Sequence, residues 1–259
     1  MDLGLQGKKA IVCASSKGLG RGCAMALARE GVSLVINGRN AETLARTADE
    51  IREETGAAVT PVAVDLDQAE GRAALLAACP DPDILVNNNG GPPPGNFRDW
   101  GDAEWNAGLA ANLRTPTELI KATVDGMVER GFGRIVNITS IAVQMPFPGL
   151  AMSSAARSAL TALVASVSRE VARHNVAINN LQPGLFATDR LVGGMAGAAK
   201  ATGRTVEETR AGMLANIPAG RFGDPDEFGH ACAFLCSARI GFITGQNLLL
   251  DGGHFSGAF

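Results

Sequence analysis

Ser140, Ser153 and Arg157, in the middle of the chain, have the types and spacing that chemistry asks for. Ser140 closes the stretch Arg134-Ile-Val-Asn-Ile-Thr-Ser140, which reads as a buried strand. Its hydroxyl therefore falls at a strand's C-terminal edge, where open parallel α/β sheets bind their ligands. Ser153 and Arg157 stand four apart, which on a helix places them on one face, one turn above the other. Apolar residues such as Met152, Ala156, Leu160, Val164, Val167 and Val171 recur at helical spacing and predict a helix from near Met152 to about Arg173. A hydroxyl is a poor acid but a good hydrogen-bond donor, and a guanidinium is a permanent cation with a planar fork of donors. The chemistry on offer is proton movement and hydrogen bonding beside a fixed positive charge. The chain contains no tyrosine, so no phenol is available as the stronger acid.

The elements that must position these groups alternate between short apolar runs and helical patterns, which points to a parallel sheet. Lys8 to Ala14 reads as a strand, followed by the turn SSKGLGRG and a helix, Cys23 to Glu30, that stops at Gly31. Strand, glycine turn and helix make a phosphate site, since free N–H groups and the positive end of the helix dipole face the anion. Ser15, Ser16, Lys17, Gly18, Leu19 and Gly20 form that turn. Ala14 at its entry is costly only if the position needs a positive φ. A second strand, Val32 to Asn37, runs into Gly38-Arg39-Asn40 with no acid before Glu42, so Lys17 and Arg39 either surround a phosphate or are solvated surface cations.

A helix over 41–54, a strand over 58–64 ending at Asp65-Leu66, and a helix over 68–78 follow. A strand at 83–86 then leads into Asn87-Asn88-Asn89-Gly90 and a rigid loop, Gly91 to Gly95. Residues 102–129 read as one or two helices carrying Asn112. Beyond the central helix, the strand 175–182 enters Pro183-Gly184-Leu185-Phe186-Ala187-Thr188. The stretch 191–201, rich in Gly and Ala, has no firm pattern; a helix over 225–237 and a last strand over 243–253 close the chain.

The 259 residues, 46% of them apolar, suffice for one large core. A net charge of −3 offers no basic field for nucleic acid, and no apolar run reaches membrane-spanning length. No secretory h-region opens the chain. A soluble, cytoplasmic protein is the expectation. Cys13, Cys23, Cys79, Cys232 and Cys236 show no disulfide framework and read as small core residues, with no metal site expected.

Over about residues 5 to 253 the chain resembles the short-chain dehydrogenase/reductase family. The motifs that carry the resemblance are Cys13-Ala14-x-x-x-Gly18-Leu19-Gly20, Asp65-Leu66, Asn87-Asn88-Asn89-Gly90, Asn112, Ser140 and Pro183-Gly184…Thr188. The resemblance implies a single-domain Rossmann fold spanning 1–259: a doubly wound, seven-stranded parallel sheet with helices on both faces and a substrate lid at about 189–217. It implies hydride transfer between a nicotinamide and a carbonyl or alcohol carbon, with a 3-oxoacyl-reductase character. Asp65 then contacts adenine; Leu66, Asn88, Asn89 and Gly90 pass close to the cofactor; Arg157 reaches the ribose hydroxyls; Asn112 supports a proton-relay water; and Pro183, Gly184, Phe186 (through its backbone) and Thr188 hold the carboxamide. The missing acid at the end of the second strand, with Lys17 and Arg39 nearby, favours NADP(H) over NAD(H).

The departures from the family pattern matter as much. Ser153 stands where the family has Tyr and Arg157 where it has Lys, so Ser140, Ser153, Arg157 and Asn112 are the catalytic candidates. A plain loss of the phenolic acid raises the barrier by about 3–5 kcal/mol. A catalytically weak NADP(H)-binding or scaffold protein, and less readily a non-redox lyase or dehalogenase, are the alternatives. A homo-oligomer, tetramer or dimer, follows from the same resemblance.

Overall fold

The computed structural model describes residues 2–257. Seven parallel strands make one sheet in the order β3-β2-β1-β4-β5-β6-β7. They are β1 (Lys9–Val12), β2 (Ser33–Gly38), β3 (Val59–Ala63), β4 (Ile84–Asn87), β5 (Gly133–Ile138), β6 (Val176–Pro183) and β7 (Asn247–Leu250). Strand order reverses at β1, so the crevice between β1 and β4 is the topological switch point where such sheets bind ligands. The fold class matches the expectation from sequence.

Alternate strand residues feed two separate cores. Ala10, Val12, Leu34 and Ile36 face one way, with Leu44, Ala48 and Ile51 of α2 (Ala41–Thr55) and apolar residues of α1 (Gly18–Arg29) and α9 (Pro225–Cys236). Ile11, Cys13 and Val35 face the other way, against Leu75 of α3 (Ala69–Ala78), Leu119 and Met127 of α5 (Thr115–Arg130), and Leu160 and Val164 of α6 (Ala151–Val171). Strands covered on both faces read as continuous Val/Ile/Leu runs, which is why they were legible. The remaining helices are α4 (Asp102–Leu109), α7 (Asp189–Thr202) and α8 (Val206–Leu214).

Two glycines decide how α1 sits. A Cβ on Gly22 would lie 2.2 Å from the Pro225 carbonyl oxygen, and one on Gly229 would lie 2.2 Å from that of Gly22. Helices α1 and α9 therefore cross in backbone contact, with Cys23, Cys232 and Cys236 fully buried in that region. No side chain could be accommodated at the crossing without separating the helices.

Several boundaries differ from the sequence expectation. The stretch 191–201 is not patternless but part of α7, whose first turn is capped by the Thr188 hydroxyl. Strand β5 stops at Ile138, so Thr139 and Ser140 lie beyond it, and β7 spans four residues rather than the whole of 243–253. Helix α6 starts at Ala151 and stops at Val171, where a 3₁₀ turn over Ala172–His174 takes over. Among the described residues, no helix is long and apolar enough to cross a membrane.

Candidate functional site

The β1–α1 turn is built by hydrogen bonds from across the sheet. Cys13 donates its N–H to the Val86 carbonyl at 3.0 Å, and its thiol accepts the backbone N–H of Asn88. Full burial pushes that thiol up to about 12, so it is a neutral packing and hydrogen-bonding group. Ala14 has φ +43°, in the left-handed region, and its carbonyl accepts from Asn88 Nδ2 at 3.1 Å. Gly20 is needed because a Cβ there would lie 2.3 Å from the Ala14 oxygen. Gly18 opens α1 with φ +55°.

Lys17, the N-cap, makes no capping hydrogen bond with its side chain, and the first turn of α1 holds no acid. The leading N–H groups thus face the cleft without a competing side-chain oxygen. This fits the diphosphate of a dinucleotide, whose negative charge the helix end favours. Ser16 and Leu19 line the same turn, half-buried. Ser15 corrects the sequence reading: it is fully buried, donates to the Val12 carbonyl at 2.7 Å and accepts the Asn37 N–H at 3.1 Å. Its hydroxyl ties β1 to β2 and is unavailable to a ligand.

Asn37 is likewise turned inward, donating to the Val62 and Val64 carbonyls at 3.1 Å each. The exposed residue at the end of β2 is Arg39, with no carboxylate within ion-pair distance among the described residues. Lys17 stands 3.4 Å from Asp189 at the start of α7, both largely exposed. That weak surface pair links the glycine turn to the segment above it.

On the β3 side, Asp65 is exposed and accepts the Asp67 N–H at 3.0 Å, so it is not the cap of α3, a role taken by Gln68. The Leu66 side chain is buried in the core, which corrects its reading as a cofactor contact. Asn89, where the family has a small residue, donates to Asp67 Oδ1 at 2.8 Å and to the Ala111 carbonyl at 3.3 Å, while its own oxygen accepts the Gly90 N–H at 2.8 Å. Asp67 also accepts from the Thr115 hydroxyl at 3.1 Å. The extra amide of Asn89 is therefore fully used in fastening its loop.

The catalytic candidates emerge from β5 and α6. Ser140 caps a single 3₁₀ turn, its oxygen accepting the Ala142 N–H at 3.0 Å, which leaves the hydroxyl hydrogen to donate. Arg157 is buried rather than on a helix surface: Nη1 donates to the Ile138 carbonyl at 2.6 Å and Nε to Ser153 Oγ at 3.2 Å. Burial, and secondarily the Arg190 charge, lower its pKa to about 10, so it stays cationic at neutral pH. Ser153 lies in the first turn of α6, but the N-cap is Leu150, so Ser153 is not there to cap. A guanidinium donating to its oxygen favours the charged form of that hydroxyl and leaves its hydrogen free to move.

Asn112 sits, buried, in a π-helical turn, Ala110–Arg114, between α4 and α5. Such turns recur at functional sites because they displace one residue from the helical ladder. Asn112 and Arg157 border a cavity of about 20 Å³, together with Asn87, Asn88 and Asn89. That volume holds about one water molecule. Asn87 Oδ1 is buried there with no partner.

Asn87 begins a row of amides that sequence reasoning missed. Its Nδ2 donates to Asn137 Oδ1 at 2.9 Å, Asn137 Nδ2 to Asn180 Oδ1 at 3.3 Å, and Asn180 Nδ2 to Asn247 Oδ1 at 2.8 Å. These four are register partners on β4, β5, β6 and β7. The three bonds all run in the same direction, leaving the oxygen of Asn87 as the free end at the cavity that Arg157 borders.

Beyond β6, Pro183 and Gly184 approach β7 so closely that a Cβ on Gly184 would lie 2.7 Å from that of Asp251. Phe186 packs edge-on against Phe228 at 5.2 Å, so its side chain belongs to the core. Thr188 accepts the Leu191 N–H at 3.3 Å, and its methyl would meet a Cβ on Gly18 at 3.3 Å, which brings the start of α7 over the glycine turn. Arg190, two residues on, is a second residue that sequence reasoning passed over: its guanidinium lies against Gly91. His254 lies 6.0 Å, ring to ring, from Phe147.

Residues 13–254 match the family model described as enoyl-(acyl carrier protein) reductase. An uncharacterized oxidoreductase, YvaG, of Bacillus subtilis is 34% identical over 98% of both chains. The 3-oxoacyl-[acyl-carrier-protein] reductase FabG of Vibrio harveyi is 32% identical over 98% of this chain and 99% of its own. Among solved structures, L-sorbose reductase from Gluconobacter frateurii, complexed with NADPH and L-sorbose, superposes with a TM-score of 0.93 at 28% identity, over 99% of this chain and 100% of that one.

Proposed function

The chain belongs to the short-chain dehydrogenase/reductase family and is an NAD(P)(H)-dependent oxidoreductase of it, and from that premise we propose an NADP(H)-dependent carbonyl reductase with a serine–arginine pair in place of the family's tyrosine and lysine. The observation that carries this reading is the Arg157 fork, which joins the Ile138 carbonyl, at the end of the Ser140 strand, to Ser153 Oγ. When bound, the nicotinamide supplies the hydride or takes it up. Ser140 donates its free hydroxyl hydrogen to the substrate oxygen. Ser153 passes the proton, with Arg157 holding its oxygen and stabilising negative charge that develops there. Asn112 and the Asn87 oxygen, at the cavity behind them, offer a water the partners it needs to return that proton.

Preference for NADP(H) is supported by the end of β2, where Asn37 is committed to the sheet and Arg39 is exposed without an acidic neighbour in ion-pair reach. A ribose 2′-phosphate suits such a cation, whereas a 2′-hydroxyl asks for an acid. In this reading the segment α7–α8 is the substrate lid, which the approach of the Thr188 methyl to Gly18 of the glycine turn supports. Calorimetric titration with NADPH and NADH tests the reading. Tighter binding of NADPH, with catalytic reduction of carbonyl compounds, is the expected result. Equal affinity for the two, or tighter NADH, would refute the cofactor assignment, and NADPH binding without turnover of any carbonyl would refute the redox role.

A further inference from the structure

Arg190 belongs to the second position of α7 and is largely solvent-accessible, yet its guanidinium is turned inward over the Asn-Gly loop. A Cβ on Gly91 would lie 2.8 Å from Nη2 and 3.3 Å from Nη1, so the lack of a side chain at Gly91 is what admits the guanidinium. Two residues earlier in that loop, Asn89 lines the same cavity as Arg157. Arg190 thus lies against this loop at Gly91, while Arg157 borders a cavity with Asn89 of the same loop.

Neither has a counter-ion. Among the described residues no carboxylate lies within 4.0 Å of Arg157 or Arg190, and Asp189, next to Arg190 in the chain, is paired with Lys17 instead. Asp67, the nearest acid of the loop's own network, is engaged by Asn89 and the Thr115 hydroxyl. The Arg190 charge is felt by Arg157, as its lowered pKa records. Two like charges near one loop repel each other, and an anion bound beside Arg190 removes that penalty.

We propose that Arg190 forms an anion subsite beside the Asn-Gly loop, its positive field reinforced by the buried Arg157, and that the carbonyl substrate carries a carboxylate which Arg190 holds. This rests on the carbonyl-reductase reading above and adds the substrate class: a free oxo acid, reduced to its hydroxy acid, rather than a neutral ester or thioester. A guanidinium grips a carboxylate through two parallel N–H···O bonds, which fixes the orientation of the attached carbonyl as well as its affinity. The other anion that could lie near α7 is the diphosphate of the cofactor itself, and the two sources give different results.

The test uses the full chain with NADPH and matched pairs of 2-oxo and 3-oxo carboxylates and their methyl esters, in the wild type, Arg190→Gln and Arg190→Lys. The expected result is a kcat/KM for the acids about 10- to 100-fold above the esters, a ratio that collapses toward one in Arg190→Gln and is partly restored in Arg190→Lys. Equal acid and ester turnover in the wild type would overturn the proposal. So would an Arg190→Gln variant whose NADPH affinity falls while the acid-to-ester ratio is kept, since the anion would then be the cofactor's. Should no carbonyl be reduced, the redox role fails separately, and calorimetric titration of 3-hydroxybutyrate, with and without NADP⁺, reads the subsite directly. Binding that Arg190→Gln abolishes supports the anion site; no binding to the wild type overturns it.

Discussion

Ala14→Gly should make this protein more stable, and the magnitude follows from one angle. Ala14 has φ +43°, where an L-residue with a Cβ is strained by roughly 1–2 kcal/mol. Glycine is indifferent to that region, but it loses more backbone freedom on folding, which returns about 0.5–1 kcal/mol. The net gain is therefore about 0.5–1 kcal/mol, or an increase in Tm of roughly 1–4 °C for a chain of this size. No contact need be lost, because both hydrogen bonds at this residue, from Asn88 Nδ2 to its carbonyl and from its own N–H to Asn37 Oδ1, use the backbone and not the methyl. Thermal unfolding followed by circular dichroism, at fixed protein concentration and without nucleotide, measures the shift. Repeating it with saturating NADPH shows whether relieving the turn also changes the ligand's contribution. A variant less stable than the wild type would refute the argument, because it would mean the methyl's packing outweighs the strain.

Asn137→Ala, inside the amide row, should cost about 1–3 kcal/mol, because it leaves the buried Asn87 amide with only a long bond to the Pro116 carbonyl and strands the Asn180 acceptor. Denaturant unfolding measures it, and a loss under about 1 kcal/mol would mean the row is not a connected network. The double variant Ser153→Tyr with Arg157→Lys should raise turnover of simple ketones by roughly 10²–10⁴-fold if the weak acid limits the rate. No gain in a folded, NADPH-binding double variant would place the limit in the shape of the pocket.

Much of the architecture could be read from the chain because strands buried on both faces are apolar throughout, and turns such as Gly18-Leu19-Gly20 are set by backbone geometry that only certain residues adopt. What escaped depends on direction or distance. The motif around Ser15 follows the backbone path past a ligand, but says nothing of which way each side chain points, and Ser15 points into the sheet. The same holds for the side chains of Leu66 and Phe186. The π-helical turn around Asn112 has no compositional signature, since it differs from its neighbours only in hydrogen-bond spacing. Arg190 follows Thr188 by two residues and looks like any lid cation until the fold lays α7 over Gly91. The burial of Arg157 was hidden because periodicity places a residue on a face but not against a given neighbour.

The amide row also bears on how the sheet finds its alignment. Strands made of Val, Ile and Leu on both sides have little to distinguish the native pairing from one displaced by two residues, since each slip exchanges one apolar neighbour for another of similar volume. Asn87, Asn137, Asn180 and Asn247 remove that degeneracy, because only one offset of β4, β5, β6 and β7 lets all their side chains meet. Any other offset buries unpaired amides at about 1–3 kcal/mol apiece. The four asparagines thus act as an index mark across half the sheet, and the ends of β4, β5 and β6, from which Asn88, Ser140 and Gly184 emerge, are brought level by it.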